Sequence, residues 1–330
     1  RKKAYIFSGT LILIGLVSLF TRGMDFGVDF TGGRTYVVRF DQNVNTEAIR
    51  KSLTVAFDKQ PPTVKTFGPD NQIKIVTKYL IADNRDNVDS IIQTKLYQGL
   101  KAFYRKPLSY KHFTSDTEGE NKLLGILSSQ KFGPTIAYDI REKAYFAIFF
   151  ALVIIFIYIA VRFRNWQYGV GGVLALFHDT LITIGIFSLL HGFMPFGMQV
   201  GQSFVAAILT IIGYSINDTV IIFDRIRENV HLFPKHKLKL NMNEGLNQTL
   251  ARTMNTSGTT LVVLFVIFLF GGEVIRGFVF ALLIGITIGT YSSVFTASPI
   301  AYDLLHGTRE DKLIEEKVAR LNQKKAKKKR

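Results

Sequence analysis

The stretch GYSINDTVIIF (213–223) places a carboxylate, Asp218, inside a long apolar run, with Asn217 and Thr219 beside it. A charge in a segment built for lipid is costly, and an ionisable residue there marks an ion or proton pathway by default. Asp218 precedes the charged end of its run at Asp224 by about two helical turns, which puts it on the order of 9 Å inside at ~1.5 Å per residue. Burial favours the neutral acid and a nearby cation favours the carboxylate. A group held between these two pulls changes charge with its surroundings, as a proton carrier must. The bland alternative is a carboxylate that reaches back to the interface or caps a broken helix.

Three other polar groups have comparable settings. Arg252 stands where a later apolar run begins, in ARTMNTSGTT (251–260). Its guanidinium keeps its proton, so it is a fixed positive partner for Asp218 if the two helix ends adjoin, or else an ordinary positive-inside anchor. His178 and Asp179 lie in ALFHDTLIT (175–183), mid-way along another run. Such a pair can relay protons or simply fix helix packing by a hydrogen bond. The local pattern HDTLIT echoes NDTVII around Asp218. ITIGTYSSVF (286–295) and TSGTTLVVL (256–264) carry small residues at three-to-four spacing, a mark of close helix packing, with Ser and Thr able to hold water near Asp218.

These groups have to be positioned by membrane helices. Of 330 residues, 48% are hydrophobic and 28 are Phe, and the apolar residues come in blocks. Ala4–Thr21, Ala144–Val161, Thr180–Asn217, Thr253–Gly272 and Gly277–Tyr302 each run without Asp, Glu, Lys or Arg. About 18 or more such residues suffice to cross a hydrocarbon core of roughly 30 Å. A large soluble protein with several buried helices is the alternative, and five such blocks argue against it. Six spans are expected, near 4–22, 144–162, 169–190, 201–224, 253–272 and 277–300, with HGFMPFGMQVGQ (191–202) as a Gly/Pro hinge. The first apolar run is too long for a signal peptide and lacks a small-residue cleavage site. The sequence starts at Arg1 rather than Met, as expected of a trimmed chain or of the later part of a longer polypeptide.

The net charge is +16. Lys and Arg gather at 1–3, 162–164, 225–239 and in the tail from Arg309, which assigns both termini to the cytoplasm. Arg22, Arg141 and Lys143 run against that rule, but they bracket a long segment, and long segments cross largely regardless of charge. No stacking-aromatic or zinc pattern accompanies the basic residues, so specific nucleic-acid binding is not expected; the KKAKKKR tail reads as a solvated run drawn to the lipid surface. There is no cysteine, which removes disulfides and thiol metal sites.

The segment 24–140 is polar and reads as a small α+β domain. RTYVVRF is strand-like, NTEAIRKSLTVAF begins with the N-cap candidate Asn45, TVKTFG and QIKIVTK form a strand pair around Pro69–Asn71, and NRDNVDSIIQTKLYQGLKAFY is a second helix. That order suggests a ferredoxin-like unit. Residues 106–130 are expected to be a longer loop with a short helix. The expected layout is a first helix to residue 23, the outer domain over 24–140, five further helices over 141–303 and a basic tail over 304–330.

At the entry to the outer domain, GVDFTGGR (27–34) carries Asp29, Phe30, Thr31, Gly32 and Gly33. The glycines open backbone conformations closed to other residues where a membrane helix hands over to a strand. A phosphate-cradling loop would need Walker spacing and a following Lys-Ser/Thr, both missing. At the exit, FGPTIAYDIREKA (132–144) puts Gly133 and Pro134 before the second span, in the same joining role.

Taken together, GVDFTGGR, FGPTIAYDIREKA, ALFHDTLIT, GYSINDTVIIFDRIREN and ARTMNTSGTT resemble the SecF family of protein-export membrane proteins, in order and over nearly the whole chain. The resemblance implies membership of the RND transporter superfamily: a bundle of six membrane helices with an extracytoplasmic domain between the first two, in a bacterial inner membrane. It implies a transport subunit rather than an enzyme, with no cofactor or metal, and with the proton as coupling ion; sodium remains open, since a carboxylate beside Asn and Thr could ligate it. Asp218 and Arg252, with Asn217, Thr219, His178 and Asp179, would then serve proton coupling. The partners it implies are SecD, separate or fused upstream, the SecYEG channel, YajC and YidC, and an unfolded polypeptide in transit. Two rival classes are a proton-driven small-molecule exporter, which would carry a larger outer domain and a substrate pocket, and an inert scaffold subunit, which would gain nothing from a buried Asp218.

Overall fold

The computed structural model describes residues 1–83, 85, 87–115, 123–194 and 196–306. The basic tail beyond 306 and part of the 106–130 segment lie outside the described residues. Six helical spans are long and apolar enough to cross a membrane. They are α1 (Lys2–Arg22), α6 (Pro134–Phe163), α7 (Trp166–Leu190), α8 (Gln202–Leu232), α9 (Leu238–Phe270) and α10 (Glu273–Ser292), the last passing through a π-helical turn, Ser293–Ala297, into α11 (Ser298–Leu305). The six expected spans are all present.

Three helices run past their apolar blocks. α6 starts at Pro134 and α9 at Leu238, while α8 continues to Leu232. Hydrophobicity marks only the part of a helix that meets lipid; good helix formers carry it on into water. The lone Gly245 in the α9 extension is a packing glycine, since a Cβ there would come within 2.8 Å of Ile226. Arg252 stands where the apolar run begins, as expected, and the helix extends before it to Leu238.

Between α1 and α6 lies an antiparallel sheet of β1 (Gly33–Arg39), β2 (Thr63–Thr66), β3 (Gln72–Thr77) and β4 (Gly125–Phe132), in the order β2-β3-β1-β4. The helices α3 (Thr46–Ala56) and α4 (Val88–Leu100) pack on it. Asn45 caps α3, accepting from the backbone N–H groups of Glu47 and Ala48 at 2.9 and 3.1 Å. The core is continuous from Tyr36, Val38 and Phe40 through Ile49, Leu53, Ile73 and Ile75 to Ile92 and Leu96. In the 106–130 segment the expected short helix appears as α5 (Tyr110–Thr114), and β4 begins at Gly125, where a loop was expected. Only the first residues of β4 are buried; beyond them it is a polar edge strand without apolar alternation.

The helical bundle centres on α7, α8 and α10, whose inward residues include Leu176, Phe187, Phe204, Ile208, Ile211, Ala281 and Leu282. α1 and α6 turn most of their apolar surface outward. α1 is held to α7 by a close crossing of Gly15 and Gly185, where an added Cβ on Gly15 would sit 3.0 Å from the Gly185 Cα, and by a buried Ser18–Ser188 hydroxyl pair at 2.9 Å.

Candidate functional site

Among the described residues, the bundle buries two carboxylates. Asp218 on α8 is 3% exposed, and Asp179 on α7 is fully buried. Asp179 faces α10, which approaches closely because Gly285 and Gly289 lack side chains: a Cβ on Gly289 would stand 3.0 Å from Ser215 Cβ and 3.5 Å from Asp179 Oδ2.

Their hydrogen bonding differs. Asp179 Oδ2 accepts from Ser215 Oγ on α8 and from Ser292 Oγ at the end of α10, both at 2.8 Å. Its Oδ1 lies 3.0 Å from His178 Nδ1, a contact that needs one proton between them. His178 Nε2 is buried without a hydrogen-bond partner, and the ring stacks near Tyr291. Asp218 Oδ2 accepts from Ser257 Oγ on α9 at 3.3 Å. Ser257 accepts in turn from Thr290 Oγ1 on α10 at 2.7 Å. Ser215, Ser257 and Ser292 thus bond the acids, with Thr290 behind Ser257; the small-residue stretches flagged Ser257, Thr290 and Ser292 but not Ser215, and no spacing rule could say which acid each serves.

The flanking residues divide. Thr219 is buried and donates to Ser293 Oγ at 3.3 Å, at the start of the π-helical turn. Asn217 is on the exposed side of α8, as is Gly213. Arg252 is exposed on α9 and, among the described residues, forms no ion pair with Asp218. It is adjacent in sequence to Thr253, which belongs to the buried stripe Gly245, Thr249, Thr253 and Ser257 facing α8.

The second predicted group, at the membrane face of the sheet domain, is brought together as a unit. Val28–Thr31 form one helical turn, α2, ended by Gly32 at φ 72° and Gly33 at φ 145°, where other residues would be strained. Gly33 pairs with Phe132, so the strand that enters the domain lies beside the one that leaves it. A Cβ on Gly32 would come within 3.4 Å of Pro134 Cα, and Gly133 caps α6 with Pro134 at its first position. Thr31 Oγ1 donates to Gly27 O at 3.1 Å. Phe30 is buried among Met198, Val200 and Phe204 of the bundle. Asp29 accepts from the backbone N–H of Gln202, the first residue of α8. That link joins distant parts of the chain and had no local signal.

With two buried acids and a glycine-turned strut on the page, comparison with known proteins becomes decisive. Residues 113–307 match the profile of the protein-export membrane protein SecD/SecF C-terminal region, and residues 17–44 match the SecD/SecF GG motif. The chain belongs to the SecF family.

Relatives in that family include the protein translocase subunit SecF of Rhodothermus marinus, 43% identical with 92% of this chain and 91% of the relative covered. The SecF subunit of Haemophilus influenzae is 36% identical, over 96% of this chain and 88% of the relative. Among solved structures, the crystal structure of SecDF, a translocon-associated membrane protein from Thermus thermophilus, superposes with a TM-score of 0.72 at 30% identity over 91% of this chain. The chain spans 38% of that longer SecDF polypeptide. A second SecDF structure, in a super-membrane-facing form, aligns over 99% of this chain and 39% of its own, with a TM-score of 0.57 at 28% identity. The GG motif of the family is the Gly32–Gly33 turn, and the SecD/SecF C-terminal region contains both buried carboxylates.

Proposed function

We propose that this SecF-family subunit works with SecD to draw on the proton gradient during export of unfolded polypeptide, and that Asp218 is the group through which the gradient acts. The observation that carries the reading is an almost fully buried carboxylate with, among the described residues, one long hydrogen bond and an arginine on the neighbouring helix that forms no ion pair. Protonated, Asp218 is neutral and rests against Ser257. Ionised, it attracts Arg252, which draws α9 along α8 and loosens the Thr290–Ser257 link to α10. Asn217 and Thr219 flank the switch, Thr219 joining it to the π-helical turn, a feature frequent at functional sites.

The energy scale fits. One proton crossing about 150 mV supplies roughly 3.5 kcal/mol. Moving a two-state equilibrium from 1:99 to 99:1 takes about 5.5 kcal/mol, so one proton is of the right order and two suffice.

Asp179 with His178 is the second polar station. Its hydrogen bonds to Ser215 and Ser292 lock α7, α8 and α10 together. Asp29, Phe30, Thr31, Gly32, Gly33, Gly133 and Pro134 join the sheet domain to the bundle. We read that domain as ferredoxin-like, from its β2-β3-β1-β4 order, and as extracytoplasmic. Arg1 pairs with Asp303, so the first and last spans present the same end of the bundle, where the basic residues place the cytoplasm of the bacterial inner membrane. SecYEG, YajC and YidC are the further partners of this reading.

The test is export into membrane vesicles carrying separately imposed proton and sodium gradients. A proton gradient alone should stimulate export in the native protein; stimulation by sodium alone would replace the proton with that ion.

A further inference from the structure

The sheet domain, whose chain enters from α1 and leaves into α6, is also tied to the start of α8, the helix that carries Asp218. After α1 ends, residues 25–27 run alongside the segment before α8: Val200 N–H donates to Asp25 O at 2.8 Å, and Gly27 N–H to Val200 O at 3.0 Å. The α8 N-terminus has no capping side chain of its own and no acidic residue in its first turn. Asp29 supplies both, accepting from Gln202 N–H. The carboxylate fits between Gly27 and Gly201, where an added Cβ on either would overlap it. Beside it, Phe30 enters the bundle core. From the sheet, Lys65 on β2 pairs with Asp25 at 2.9 Å, and Lys74 on β3 donates to Gln199 at 3.3 Å.

A carboxylate at a helix N-terminus satisfies free N–H groups and complements the helix dipole. Here it also joins two domains. We propose that Asp29 is the positioning residue that transmits the state of Asp218 to the sheet domain, by fastening the strut between α1 and β1 to the start of α8. Asp218 lies about 24 Å further along the same helix. A shift of α8 relative to α9 is then delivered to the Gly32–Gly33 turn and through it to β1, β4 and α6. Gly27 and Gly201 are required because they leave room for the carboxylate. This inference rests on the reading of Asp218 as the proton-coupled group.

The test uses vesicles containing the full chain with SecD, at matched membrane levels, with two readouts: proton leak through the complex and gradient-stimulated export. Asp29→Ala removes the cap, and Gly201→Ala displaces the carboxylate while leaving it in the chain. Each should lower gradient-stimulated export about five- to tenfold, the scale of one lost cap, while proton leak stays near the native level. Asp29→Asn retains a capping oxygen and should restore most of the export. Undiminished export in both alanine variants overturns the proposal. So does a parallel fall in leak and export, which would put Asp29 in the ion path, or loss of both variants from the membrane, which would make it a folding residue. An Asp218→Asn arm separates the two levels: if it keeps gradient-stimulated export, the proton reading fails whatever Asp29 does.

Discussion

Asp179 and Asp218 stand in matching local sequences, each an acid followed by Thr on a membrane helix, yet their surroundings differ in kind. Asp179 meets Ser215, Ser292 and His178 at 2.8–3.0 Å. Among the described residues, Asp218 bonds only Ser257, at 3.3 Å. Removing a side chain with three close partners leaves buried polar groups without their acceptor. One with a single long bond and a cation on the next helix is held less tightly. On the proposed reading, the same residue type serves as a lock in one place and as a switch in the other.

Substitutions should split along that line. Asp218→Asn should abolish gradient-stimulated export while the protein stays in the membrane at normal levels, measured by export assay and quantitative blotting; stimulated export at the native level would break the contrast. Asp179→Ala should act on stability instead. It leaves two hydroxyls and an imidazole facing an empty acceptor position, a loss of about 3–5 kcal/mol by the scale of broken buried polar pairs. Thermal unfolding in detergent should show it, with Asp179→Asn, which keeps one acceptor oxygen, less affected.

Arg252→Gln sharpens the comparison from the cation's side. The residue is exposed, so stability should change by no more than about 0.5 kcal/mol. Gradient-stimulated export should still fall severalfold, read in the same export assay. A stability loss with export intact would make Arg252 a structural anchor.

The smallest effect is expected far from both acids. In the sheet domain, the hydrogen bond from Lys95, and then that from Tyr79, hold the Asp58 carboxyl below the usual carboxylate range. A depressed acid contributes stability that is fully present above its unfolded pKa, near 3.9, and is lost as pH falls through the lower folded value. Asp58→Asn should therefore make the domain easier to open at neutral pH and match the native protein at pH values below the folded pKa, measured by hydrogen exchange across pH.

Much of this arrangement is legible in the sequence because lipid imposes a simple rule. Apolar blocks found the six spans, and a charge among them found Asp218 and Asp179. The Gly32–Gly33 turn was legible because glycine signals a backbone that other residues avoid. Other features were not. β4 was hidden because an edge strand needs no apolar alternation. The true start of α9 was hidden because helix continues where hydrophobicity stops, here from Leu238 to Arg252. Most telling is Asp29, whose partner is the N–H of Gln202: a backbone donor has no residue type to recognise, so no pattern could point to it.

The most direct test of the switch is infrared difference spectroscopy of the reconstituted protein across pH, reading the protonated-carboxyl stretch. The native protein should show a pH-dependent band that disappears in Asp218→Asn and persists in Asp179→Asn. A band that survives Asp218→Asn and is lost with Asp179→Asn would reverse the roles of the two carboxylates.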